Sequence, residues 1–150
     1  MSSKIETYDR KRKEFRGGHL LGYLAFFVVF ISRSAMKIAG MQAGIVWTLL
    51  HVVMALSLLW LLYFSIRLFK VQREIGADPL LKEALNNELD RLNELKAWKI
   101  AFYSLIIFNL AAVYLFHIMA VPLKEPVILI ISNLLVGTGS FDLARYLLDR

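Results

Sequence analysis

The residues of this chain with the most scope for chemistry are five polar side chains that lie inside long apolar segments. They are Arg33, His51, His117, Asn133 and Asp142. A polar or ionisable side chain costs free energy in hydrocarbon, so each is a candidate functional residue. At a rise of about 1.5 Å per residue, the first four lie roughly 6–10 Å from the same end of their segments. They therefore predict one shared polar layer, and Asp142 lies about 9 Å from the opposite end.

The layer suggests several kinds of chemistry. Arg33 would bind an anion, because a guanidinium makes bidentate hydrogen bonds, or it would extend to the membrane interface with no further role. His51 and His117 would carry protons, hold a metal, ligate a haem axially, or hydrogen-bond a neighbouring helix. A zinc hydrolase is disfavoured because it needs three protein ligands. Asp142 would pair with Arg145 or Arg67, or take part in proton coupling.

Composition places these residues in a membrane protein. The chain has 150 residues, of which 58% are hydrophobic and 20% are charged. Soluble domains are typically about 45–50% apolar. There is no cysteine, which excludes disulfides, thiol chemistry and cysteine-based metal sites. The net charge of +6 fits orientation in a membrane and contact with anionic lipid better than direct binding of nucleic acid.

The apolar residues form four segments, each close to the roughly 20 residues that a bilayer core requires. We expect one domain over residues 1–150, an all-α integral membrane bundle of four transmembrane helices. The predicted spans are residues 18–39, 44–66, 100–121 and 127–148. The first segment lacks a clear cleavage site and is expected to be retained.

The basic residues predict the orientation of the spans. Of the 18 Lys and Arg residues, 15 fall on the side of the two termini and the central connector, and Arg33, Lys37 and Lys124 fall on the other. Because positive residues stay on the cytoplasmic side, we expect an inner-membrane protein with both termini in the cytoplasm.

The connector, residues 79–99, is predicted to extend the third span into the cytoplasm as one helix of about 40 residues. It begins at Asp78-Pro79, a typical N-cap followed by proline at the first helical position. One leucine stripe runs along it: Leu81, Leu85, Leu89, Leu92 and Leu95. The stripe would dock a cytoplasmic protein or a second copy of the chain, or it would pack on the chain's own N-terminal tail or on lipid.

The segment Glu88–Phe102, ELDRLNELKAWKIAF, carries the pairs Asp90-Arg91, Lys96-Ala97 and Ala101-Phe102. In these pairs it resembles small four-span bacterial membrane proteins of unknown function, which are often encoded beside a small helix-turn-helix regulator. The resemblance implies a regulatory or accessory membrane protein that holds a cytoplasmic partner at the membrane. The resemblance does not assign a function to any individual residue.

The sequence thus predicts a non-enzymatic membrane sensor or partner-binding regulatory subunit without a resident cofactor. The polar layer would receive the input, and the connector would bind the partner. Two alternatives stay open. One is a small homo-oligomeric channel or transporter whose flux depends on Arg33 and Asp142. The other is a haem-binding electron carrier that uses His51 and His117.

Overall fold

The computed structural model describes residues 2–41, 44–85, 88–115 and 126–149, and these residues are almost entirely helical, with no strand among them. The helices are α1 (Ser2–Ile38), α2 (Ile45–Ala77), α3 (Pro79–Leu85), α4 (Glu88–Val113) and α5 (Pro126–Leu148). Four of them, α1, α2, α4 and α5, are long and apolar enough to cross a membrane. The all-α class and the number of candidate spans are confirmed.

The first two helices are longer than their predicted spans. Helix α1 has 37 residues and α2 has 33, so they are about 55 and 50 Å long against a bilayer core of about 30 Å. The charged N-terminal residues, treated as a tail in the sequence, are the first turns of α1. They contain neither proline nor glycine, and Ile5, Tyr8 and Phe15 give them an apolar side. The α1–α2 hairpin therefore extends several turns beyond its apolar part.

The helices pack as two hairpins. Helix α1 lies along α2, α5 lies along α4, and contacts between α1 and α5 join the pairs. Helices α2 and α4 are the outer members, and only 6% of the most apolar part of α2 is buried. Exposed apolar surface of this extent is typical of a membrane or protein interface.

Glycines allow α1 to approach its neighbours closely. Gly18 and Gly22 face the rings of Phe64 and Trp60 on α2, and the Trp60 indole Nε1 donates a hydrogen bond of 2.9 Å to the Gly18 carbonyl. On the other side, the Tyr23 ring lies against Gly139 of α5. A larger residue at these glycines would separate the helices, so the bundle depends on them.

The leucine stripe is divided by the fold. Leu81 and Leu85 are buried with Val71 and Ile75 of α2, and Ile5, Tyr8 and Phe15 of α1 pack against this group. For these two leucines the structure has the second arrangement left open by the sequence, packing on the chain's own N-terminal residues. Leu89, Leu92 and Leu95 remain exposed. The cause is a change of neighbour: α3 packs on α2 and α1, whereas α4 packs on α5. Residues 86–87 lie outside the described residues, so the continuity of the predicted connector helix stays a prediction.

Helix α3 is also fixed at its first turn. The Asp78 Oδ1 atom accepts hydrogen bonds from the backbone N–H groups of Leu80 (3.1 Å) and Leu81 (3.3 Å), an N-cap as the sequence predicts. Its Oδ2 atom lies 2.7 Å from the Lys4 Nζ atom. These hydrogen bonds, that from Lys4 foremost, hold the pKa of Asp78 below its ordinary value, and the bond to Asp78 raises the pKa of Lys4.

We expect acid to loosen α3. Because the pKa of Asp78 is lower in the folded state, its contribution is present above the unfolded-state pKa and is lost as the pH falls through the folded value. The Lys4 contribution has the opposite sign and is lost at alkaline pH as the pH rises through its raised pKa. Amide protection of residues 81–85, corrected for intrinsic exchange, should fall below about pH 4.

The control for this measurement is Asp78→Asn, which keeps a capping oxygen but loses the ion pair with Lys4. Its protection should be lower than wild type at neutral pH and should change less with acid. A parallel decline in both proteins would assign the acid response to other carboxylates.

Replacing Gly18 by alanine should destabilise the α1–α2 contact, because the added methyl group overlaps the Phe64 ring. Overpacking of this kind costs about 1–3 kcal/mol. Gly76→Ala is the matched control, since among the described residues no atom lies within 4 Å of the added methyl group. It should stabilise α2 by about 0.5–1 kcal/mol. Both are measured by unfolding in detergent, and an equal effect of the two substitutions would refute the close contact.

Candidate functional site

The predicted polar layer contains a hydrogen-bonded chain within the first hairpin. The Arg33 Nε atom donates to the His51 Nε2 atom at 3.1 Å, and the His51 Nδ1 atom lies 2.8 Å from the Trp47 carbonyl oxygen. An accepting Nε2 atom carries no proton, so the ring is neutral and Nδ1 donates. The Arg33 guanidinium lies 5.1 Å from the centre of the Trp47 ring. Both His51 nitrogens are thus engaged, and a metal at Nε2 would have to displace Arg33.

The second hairpin has a polar contact of its own. The Asn109 Nδ2 atom donates to the Asn133 Oδ1 atom at 2.8 Å, and to the Leu105 carbonyl at the same distance. The structure therefore joins Arg33 to His51 between α1 and α2, and Asn133 to Asn109 between α4 and α5. The predicted position of His117 lies outside the described residues.

Asp142 has a partner that the sequence does not single out. Its Oδ2 atom lies 3.1 Å from the His19 Nδ1 atom, so the pair links α5 to α1. The two partners predicted for Asp142 are engaged elsewhere. Arg145 pairs with Asp90, and the Arg67 Nε atom donates to the Tyr63 hydroxyl at 3.1 Å. Asp142 therefore joins the two hairpins.

A buried ion cluster lies at the charged end of the bundle and centres on Asp90. The Asp90 carboxylate lies 3.3 Å from Arg12 of α1 and also pairs with Arg145 of α5. Both arginines are buried, at 7% and 5% exposure. The Arg145 Nη1 atom adds a hydrogen bond of 2.7 Å to the Asp90 carbonyl. One carboxylate of α4 thus connects three helices.

Asp149 provides a second centre in the same cluster. It pairs with Arg16 of α1 and lies 3.5 Å from Arg145. Arg16 lies near two further arginines as well as this carboxylate. Burial, together with repulsion from Arg12 and Arg145, lowers its pKa to about 10, so the guanidinium remains charged near neutral pH.

The cluster also satisfies backbone groups at helix ends. The Arg12 Nη1 atom donates to the Leu85 carbonyl at the end of α3, and the Asn93 Nδ2 atom donates to the Leu148 carbonyl at the end of α5, each at 3.0 Å. Terminal carbonyls of a helix have no partner within it, so these bonds replace water. The sequence offers one signal for this site: Arg12 and Arg16, like Arg145 and Asp149, stand four residues apart on one helix face.

No group of three or more His, Asp or Glu side chains that could hold a metal ion is found in the described ranges. The nearest approach to such chemistry is the pair of His19 and Asp142. Zinc sites take three or four protein ligands, so this pair alone does not form one.

Comparisons with known proteins do not point to a relative. No protein-family model, no curated protein and no solved structure matches this chain. Its function is therefore inferred from the geometry of the polar layer, the ion cluster and the exposed part of α4.

Substitution of Asp90 by asparagine should destabilise the protein by about 3–5 kcal/mol, because it leaves two buried arginines without their shared counter-charge. Glu83→Gln is the control, since Glu83 is an exposed carboxylate of α3 away from the cluster. Its cost should stay below about 1 kcal/mol. Denaturant unfolding in detergent measures both, and similar costs for the two would rule out a structural role for the cluster.

Proposed function

We propose that this chain is a non-enzymatic membrane subunit with four spans and both termini in the cytoplasm, and that it docks a cytoplasmic protein on the extramembrane part of α4. The observation that carries this proposal is the exposure of Leu92 and Leu95, at 51% and 65%. They lie on the side of α4 away from Asn93 and Ala97, which are buried. We call Leu92, Leu95 and the flanking basic side chains of α4 the docking face.

The position of these leucines along α4 favours a protein over lipid. The predicted span begins at Ile100, so Leu95 lies about 7 Å and Leu92 about 12 Å outside the hydrocarbon core. Leu89, also exposed, lies about 16 Å outside it. The headgroup layer is about 5–8 Å thick on each side. Leu92 and Leu89 therefore extend beyond it, where exposed leucines favour a protein contact.

Charge indicates what kind of protein fits. Arg91, Lys96 and Lys99 are exposed around Leu92 and Leu95, and they outnumber the exposed carboxylates of the same helix segment, Glu88 and Glu94. A complementary partner presents an apolar helix face flanked by Asp and Glu. A second copy in the same membrane orientation would pair each residue of α4 with its own equivalent across a two-fold axis, and would place these basic residues against each other. An acidic partner is therefore favoured over self-association.

The ion cluster makes the docking face rigid. Asp90, held by Arg12 and Arg145, and Asn93, bonded to the end of α5, fix the first turns of α4. A surface that is ordered before binding loses less conformational entropy when the partner docks. Helix α4 thus offers a preformed binding surface rather than a segment that folds on contact.

The polar layer supplies the proposed input. Arg33 and His51 link α1 to α2, so a ligand that competes for either side chain would act on the first hairpin. The resemblance of Glu88–Phe102 to small membrane proteins encoded beside a regulator implies the same division between a membrane part and a cytoplasmic partner.

A photo-crosslinking amino acid at position 92 or 95, introduced in the native host, tests this function. We expect one discrete adduct with a cytoplasmic protein whose contacting helix is apolar and flanked by carboxylates. Combining the crosslinker with Lys96→Glu and Lys99→Glu should reduce the yield about tenfold through charge repulsion.

The matched control carries the crosslinker at Leu80, an exposed leucine of the neighbouring α3, and should not form the adduct. Carbonate extraction of the same membranes verifies insertion of every variant. Adducts with lipid or with a second copy alone, or a yield unaffected by the charge reversal, would refute the docking proposal.

A further inference from the structure

A cleft of about 460 Å³ opens beside the ion cluster. Its volume is in the range of small-molecule sites, about 300–1,000 Å³. Helices α1 and α5 contribute Arg16, His19, Phe141 and Asp142, while α2 and α4 contribute Phe69 and Glu94. The cleft exists because α2 and α4 pack mainly on α1 and α5 and leave space between themselves.

The lining residues straddle the ends of the predicted spans. By helix rise, Arg16, Phe69 and Glu94 lie about 3–9 Å outside them, whereas His19, Phe141 and Asp142 lie about 2–10 Å inside. If the chain is inserted as proposed, the cleft lies at the cytoplasmic membrane surface. A ligand with a polar head and apolar chains would place its head beside Arg16 and Glu94 and its chains toward Phe141, on the membrane side.

The lining carries both signs of charge. Arg16 comes from the cluster, where burial and two neighbouring arginines disfavour its charge while Asp90 and Glu94 favour it. Arg16 already pairs with Asp149, and a further anionic group beside it would offset the repulsion from Arg12 and Arg145. Glu94 is exposed, and Asp142 faces His19, so carboxylates stand on the same cleft. An ammonium group would complement them.

We propose that this cleft binds the head of a zwitterionic aminophospholipid, a phosphodiester of ethanolamine. The phosphate lies toward Arg16, the ammonium group toward Glu94 and Asp142, and the acyl chains leave past Phe141, on the membrane side of the cleft. A purely anionic lipid would meet the carboxylates without a compensating amine, and a purely cationic ligand would meet Arg16 without a compensating phosphate. The proposal rests on the membrane insertion proposed above but not on the docking of a partner.

Native mass spectrometry of the delipidated, detergent-solubilised full chain tests the site. Ethanolamine, choline and glycerol phospholipids with the same acyl chains are added at equal concentration. We expect the ethanolamine lipid to be retained about tenfold better than the other two, since only its head combines a phosphate with ammonium N–H donors. Glu94→Gln should remove this preference, whereas Glu83→Gln, at an exposed carboxylate of α3, should keep it.

Three results would overturn the proposal: equal retention of all three lipids, tighter retention of the glycerol lipid, or a preference unchanged in Glu94→Gln. Soluble phosphoethanolamine, added as a competitor, distinguishes binding of the lipid from binding of the free phosphoamine. Weak competition supports the lipid, and competition at equal molar amounts would assign the cleft to the free phosphoamine instead. Removal of the protein from membranes by carbonate would refute the insertion itself. Failure to detect the partner adduct would refute only the docking proposal, because the lipid preference does not depend on it.

Discussion

The carboxylate of Asp90, shared by two buried arginines, is the interaction on which the charged end of this molecule depends. Arg12 and Arg145 come from opposite ends of the chain and meet on a residue of α4. Burying charge costs free energy, so the loss of one member of such a cluster is expensive. Here the shared carboxylate fixes the axial position of α1, α4 and α5 relative to one another. It also determines where α3 lies, in which direction Leu92 and Leu95 point, and where the inner wall of the cleft lies.

Away from the cluster, each hairpin has a polar contact of its own. Arg33 bonds to His51 in the first, and Asn109 bonds to Asn133 in the second. The hairpins meet along α1 and α5, where the Tyr23 ring lies against Gly139 and the Thr138 hydroxyl donates to the Tyr23 hydroxyl at 2.9 Å. This arrangement leaves α2 and α4 at the outside, which explains both the extent of exposed apolar surface and the gap between these helices at the charged end.

Hydropathy predicts the four long helices because a run of about 20 apolar residues has few alternatives. Counting depth along the spans also predicts that Arg33 and His51 lie at one level, and their side chains are bonded. It is harder to predict which side chain each polar residue pairs with. Asp142 faces His19 rather than Arg145. The sequence does not predict this pairing, because each residue turns a helix by about 100° and hydropathy does not fix the rotation of a helix that is apolar on most sides. The burial of Leu81 and Leu85 is hard to predict for a similar reason, since a leucine stripe does not reveal which helix covers it.

Helix α1 runs from Ser2 to Ile38 without a proline. Arg12 and Arg33 are therefore mounted on one stiff rod, about 32 Å apart along its axis. A rigid rotation of that rod would move both guanidinium groups together, and one of them contacts Asp90 while the other contacts His51. Such a rotation would therefore displace contacts at both ends of the molecule at once.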